Sequence, residues 1–132
     1  MNEPETIRDF LNAKTIAVVG LSADAEKPSY FVSEYMQRHG YRIVPVNPSV
    51  ETVLGEESYK SLSDLPEKPD LVNVFRGAGV IPRIVEEMKQ LGLCNLWVQL
   101  GIINEEAALQ AEASGIRVVM DRCIMVEHRK MV

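Results

Sequence analysis

The chain has 132 residues, 46% of them hydrophobic and 25% charged, and carries a formal net charge of −5 at pH 7. That length suits a single domain over residues 1–132, and the acidic balance argues against DNA or RNA as a partner. No apolar run reaches the ~20 residues of a membrane span, and the start, MNEPETIRDF, is unlike a signal peptide, so a cytoplasmic protein without membrane association is expected.

A first helix is predicted over Glu3–Asn12, with Ile7, Phe10 and Leu11 as its inward face. Five short apolar runs follow, at Thr15–Val19, Arg42–Val46, Leu71–Phe75, Leu96–Leu100 and Arg117–Met120. They are rich in Val and Ile and bounded by Gly, Pro or Asn, the pattern of strands buried on both faces. Helical spacing fills the gaps: Phe31, Val32, Tyr35 and Met36 share one face, as do Ile84, Val85, Met88 and Leu91, then Ala107, Ala108 and Ala111. Gly40, Gly92 and Gly115 suit the left-handed residue that ends each helix, and Pro28 and Pro82 suit a first turn. Pro48–Pro69 is less regular, with one short helix predicted within Ser61–Pro66, and Cys123–Val132 reads as a short helix or tail. Strand and helix in alternation predict an α/β fold, a doubly wound five-stranded parallel sheet with helices on both faces.

In such sheets a ligand sits beyond the carboxyl ends of the strands, where the strand order reverses. With strand 1 taken as the neighbour of strand 4, those ends are Gly20-Leu21-Ser22 and Gln99-Leu100-Gly101. Gly20 opens a loop like a dinucleotide fingerprint, but Ser22 and Ala25 stand where its second and third glycines belong. Val46-Asn47-Pro48 stands where an acid would clasp a ribose, so NAD(P) is disfavoured. The loop instead closes on Lys27-Pro28-Ser29 before a helix, whose free N–H groups, with Lys27 and the Ser22 and Ser29 hydroxyls, suit a pyrophosphate. The alternative is a capped helix with Ser29 as N-cap and Lys27 solvated.

Arg76, just past the third strand, either reaches a phosphate bidentately or pairs with a surface acid. Pro82 opens the next helix and offers a ring edge to a flat ligand. Asn47-Pro48 marks either a base or ribose contact or a plain turn. Trp97 reads as core, and Gln99, polar within an apolar strand, as a hydrogen-bonding residue. Cys94 reads as inert core, whereas Cys123, past the last strand beside Arg122, is the candidate reactive thiol. Cys94 and Cys123 lack zinc or CxxC spacing, and His39 and His128 have no Ser or Cys at catalytic spacing. No catalytic residue and no metal site is therefore expected.

The segments AVVGLS (17–22), KPS (27–29), YRIVPVNP (41–48), YKSLSDLP (59–66), VFR (74–76), LWVQLGI (96–102), the alanine pair 107–108 and MDRC (120–123) run in order through nearly the whole chain. Together they resemble the small stand-alone CoA-binding proteins, which are similar to the N-terminal domain of the succinyl-CoA synthetase α subunit. The resemblance implies a five-stranded Rossmann-like fold and coenzyme A, or an acyl-CoA, held over the strand ends. Its contacts would be the Gly20–Ser22 loop, Lys27, the Asn47-Pro48 turn and the Phe75-Arg76 segment. Cys123, near the inferred cleft, would then be placed for disulfide exchange with the CoA thiol. The synthetase's phosphohistidine lies in a second domain absent here, so ligase chemistry is not expected. The sequence thus points to a CoA-binding module, as a carrier or CoA sensor, with an NAD(P)-binding oxidoreductase-like protein as the alternative. A homodimer is the default assembly for a small domain.

Overall fold

A computed structural model describes residues 1–131; Val132, the end of the predicted C-terminal segment, lies outside them. In chain order the elements are α1 (Pro4–Leu11), β1 (Thr15–Val19), α2 (Pro28–Arg38), β2 (Arg42–Val46), a hairpin of β3 (Thr52–Val53) and β4 (Glu56–Glu57), and β5 (Leu71–Val74). Then come α3 (Ile81–Leu91), β6 (Asn95–Val98), α4 (Glu105–Ala113), β7 (Arg117–Met120) and α5 (Ile124–Met131). Short 3-10 turns occupy Leu62–Asp64 and Ala78–Val80.

Five strands form one Rossmann-like parallel sheet in the order β2-β1-β5-β6-β7. This corrects the expected neighbour of β1, which is the third predicted strand and not the fourth. All four residues of β5 are buried, as a strand between β1 and β6 requires, whereas the outer strands β2 and β7 begin with exposed Arg42 and Arg117. The order reverses between β1 and β5, and the crevice of a doubly wound sheet opens there.

The sheet alternates its side chains between two cores. Ala17, Val72, Val74, Leu96, Val98 and Val118 pack beneath α3 and α4. Ile16, Val18, Leu71, Trp97 and Val119 pack beneath α1, α2 and α5. Trp97 is fully buried, and its indole N–H donates to the Arg122 carbonyl at 2.8 Å, fixing the turn between β7 and α5. The C-terminal segment is a helix docked on α2, where the Tyr35 hydroxyl lies 2.8 Å from His128 Nδ1. Burial, aided by the neighbouring His39, lowers the His128 pKa from its ordinary value.

Both outer strands are partly covered. The Asn2 side-chain amide donates to the Met120 carbonyl at 2.8 Å and accepts from the Met120 N–H at 2.7 Å, as a neighbouring strand would. At the other edge Tyr59 bridges to Val46, its N–H donating to Pro45 at 3.0 Å. The β3–β4 hairpin is absent from the sequence expectations. It turns on Leu54 and Gly55, both at positive φ, a conformation for which Asn-Gly is the usual signal and leucine is a poor one.

Two further expectations change. Cys94 is exposed, because the Gly92 turn that ends α3 leaves it at the surface. Phe31, predicted to face inward with Val32 and Met36, is 43% exposed, and Ser33 takes the inward place beside Val32.

Candidate functional site

The carboxyl ends of β1 and β5 meet at a saddle. Gly20, at φ +87°, has room for no side chain: an added Cβ would lie 3.1 Å from the Phe75 carbonyl oxygen and 3.3 Å from Arg76 Cγ and Cδ. Its N–H donates to Val46 at 2.9 Å, tying the saddle to β2 as well. A clash with a backbone oxygen and the positive φ together make glycine the residue this approach requires.

Two clefts open from this saddle. The first, about 610 Å³, is bounded by Pro48, the Lys60–Ser63 segment, Arg76, Val80 and the Arg83 face of α3. The second, about 560 Å³, lies against the start of α2 and the approach to α5. Gly20, Ser22, Lys27 and Ser29 line one side of it, and Phe75, Gln99 and Cys123 the other. Of the remaining predicted site residues, Leu21 is core, Pro82 is exposed on α3, and Asn47 and Gly101 lie outside both linings.

Several polar groups expected to face a ligand also brace the loops. Helix α2 begins at Pro28 with Lys27 as its N-cap, so Ser29 lies inside the first turn and is not the cap. There the Ser29 hydroxyl oxygen accepts the Ser22 N–H at 2.9 Å, folding the loop back on the helix start. Ser22 Oγ in turn accepts the Asp24 N–H at 3.0 Å. Asn47 donates from Nδ2 to the Leu21 carbonyl at 3.1 Å and accepts the Ser49 N–H at 3.0 Å, which is the turn reading. Gln99, buried, accepts the Ile124 N–H at 3.1 Å and so satisfies an otherwise unpaired donor at the start of α5. The Gly101 N–H donates to Asp121 Oδ1 at 2.8 Å, joining the loops after β6 and β7.

The clefts differ in charge. Among the described residues the ion pairs occupy six of the fourteen Lys and Arg side chains, Arg38, Arg42, Lys89, Arg117, Arg122 and Lys130. Of the eight without a carboxylate partner, four, Lys27, Lys60, Arg76 and Arg83, line the two clefts. Three of those four line the first cleft, beside Glu86 and Glu87, and Glu87 is held by the Ser63 hydroxyl at 2.8 Å. The second cleft has one charged lining residue, Lys27, and a wall of Phe31, Leu100, Ile102 and Met125. Sequence reading missed Lys60 and Arg83, and it assigned Phe31 to the core. Among the described residues no cluster of His, Cys, Asp and Glu suits a metal ion, and no helix is long and apolar enough to cross a membrane.

Known proteins share this fold and much of this sequence. Residues 14–129 match the model of a family described as CoA binding domain. YneT of Bacillus subtilis, an uncharacterized protein, is 41% identical over 123 residues, covering 92% of this chain and 91% of its own. An ADP-forming acetate–CoA ligase II of Archaeoglobus fulgidus is 28% identical over 108 residues, or 80% of this chain, which spans only 16% of that ligase. A solved structure from Thermus thermophilus, cell-free ID.343, superimposes with a TM-score of 0.92 at 39% identity and covers 100% of both chains. With the match to the family model running from just before β1 into α5, the chain belongs to the CoA-binding domain family.

Proposed function

We propose that this protein binds coenzyme A or an acyl-CoA across the carboxyl edge of its sheet, as a carrier or a sensor of that ligand and without a catalytic residue of its own. The observation that carries this reading is the pairing of a cationic cleft with an apolar one at the Gly20 saddle. CoA is itself divided in this way: a phosphorylated nucleotide at one end and a long, uncharged pantetheine arm at the other. The nucleotide belongs in the cleft of Lys60, Arg76 and Arg83, the pyrophosphate at the saddle near Lys27, and the thiol end beside Cys123. NAD fits less well, because the end of β2 offers Asn47, its amide already occupied by Leu21 and Ser49, where a ribose needs a free acid.

Isothermal titration of the purified protein with CoA and with NAD tests the reading. CoA is expected to bind more tightly, and NAD binding as tightly as CoA would overturn it.

The two cysteines supply an independent measurement. Cys123 lines the apolar cleft, whereas Cys94 is exposed before β6, at the opposite end of the strands. Saturating CoA is expected to slow maleimide labelling of Cys123 at least fivefold and to leave Cys94 unchanged. Equal slowing of both, or of neither, would place the thiol end elsewhere.

A further inference from the structure

We infer that the apolar cleft is an acyl site, and that the ligand class this protein prefers is a CoA thioester of a medium-length apolar acid and not free CoA. The inference rests on the CoA reading above and concerns what the thiol carries. The wall opposite Lys27 is formed by Phe31, Leu100, Ile102 and Met125, with Val32 and Phe75 behind. A bare pantetheine arm presents amides and a hydroxyl and calls for hydrogen-bonding partners. Here the Gln99 carbonyl oxygen already accepts the Ile124 N–H and the Ser29 oxygen the Ser22 N–H, which leaves the Gln99 amide N–H and the Ser29 O–H to meet a pantetheine carbonyl. The Phe31, Leu100, Ile102 and Met125 wall offers only carbon side chains and sulfur for whatever lies beyond the thiol.

The exposure of that carbon points the same way. Phe31 is 43% and Leu100 65% exposed, although both flank a cleft continuous with the saddle. Large apolar side chains beside a concave site gain when a ligand covers them. Phe31 could have faced inward with Val32 and Met36, yet it stands at the cleft. Because the cleft opens beside Lys27 and the Gly20–Arg76 saddle, the group that fills it is one tethered to the phosphates and reaching past the thiol.

Titration with CoA, acetyl-CoA, butyryl-CoA and hexanoyl-CoA reads this directly. Each methylene moved from water into such a wall is worth about fourfold in affinity. Hexanoyl-CoA is therefore expected to bind at least tenfold more tightly than CoA, with butyryl-CoA between. In Phe31→Ser and in Leu100→Ser, whose side chains are exposed and not needed for the core, the hexanoyl-to-CoA ratio is expected to fall below three. Hexanoyl-CoA and CoA binding within threefold of each other in the wild type would overturn the acyl site and leave CoA binding intact. A ratio that survives both substitutions would move the acyl group out of this cleft. Absence of binding by every thioester and by CoA would overturn the CoA reading along with it. A wild type that shows no acyl preference and sediments as a dimer, which Phe31→Ser dissociates, would assign the face to a second copy and reject the acyl site.

Discussion

Replacing Arg76 with alanine is expected to weaken CoA binding by about ten- to a hundredfold, the largest effect of any single cation at the site. A polyanion approaching a chain of net charge −5 gains nothing at long range, and charges beyond roughly 10 Å are screened at ordinary salt. Affinity must come from contact. Charge-assisted hydrogen bonds contribute about 1.5–3 kcal/mol each. Arg76 is half-buried, has no carboxylate partner among the described residues, and packs its aliphatic stem over Gly20. Its guanidinium is thereby held at the saddle with little freedom left to lose, unlike the exposed Lys27. Lys27→Ala is accordingly expected to fall at the lower end of the same range. Arg76→Lys keeps the charge but not the planar fork, and should lie between wild type and Arg76→Ala. Calorimetry on the three variants is the check, and an unchanged affinity in Arg76→Ala would remove the phosphates from the saddle.

Trp97→Ala is expected to destabilise the fold by about 3–5 kcal/mol, a large share of the roughly 5–15 kcal/mol typical of a domain. Trp97 is fully buried, with its ring 6.3 Å from that of Phe10, and the surrounding strands cannot close over the volume it leaves. The substitution also strips the Arg122 carbonyl of its 2.8 Å donor. Trp97→Phe separates the two effects: most of the packing remains, the hydrogen bond does not, and the expected loss is about 1–2 kcal/mol. Urea denaturation measures both. A cost below 1 kcal/mol for Trp97→Ala would mean that the core beneath α1 and α5 is looser than its burial implies.

The strands were the most legible part of the sequence. Continuous apolar runs ending at glycine or proline leave little choice, and β1, β2 and β7 match their predicted limits. The third and fourth runs stop sooner, at Val74 and Val98, because Phe75 and Gln99 already turn toward the cleft, although their N–H groups still donate to Val19 and Val74. Strand order was not legible, since a run buried on both faces says nothing about which neighbour it takes. Of the cations that line the first cleft, Arg76 stood out in the sequence because it lies just past the end of β5, whereas Lys60 and Arg83 carried no such signal. The apolar half of the site could not be read: Phe31, Leu100 and Ile102 look like core residues until the fold shows which face they occupy. Ser29 and Asn47 stayed open in the sequence between a ligand contact and a capped helix or turn. Polar residues in a site-like position fit a ligand contact or a loop brace equally well, and only the hydrogen-bond partner decides between them.

The Asn2 clamp on Met120 and the Tyr59 bridge to Val46 also bear on how copies of this chain can meet. A bare outermost strand is a template for another chain, and growth by strand addition leads to swapped dimers and to fibrils. Here a newcomer at β7 would have to displace an amide that already makes both bonds to Met120, and at β2 a tyrosine backbone that already holds Pro45. Assembly through a shared, continuous sheet is therefore penalised at both ends, and side-chain surfaces are the favoured route to association. Asn2 and Tyr59 thus act as guards against strand addition at the two edges of the sheet.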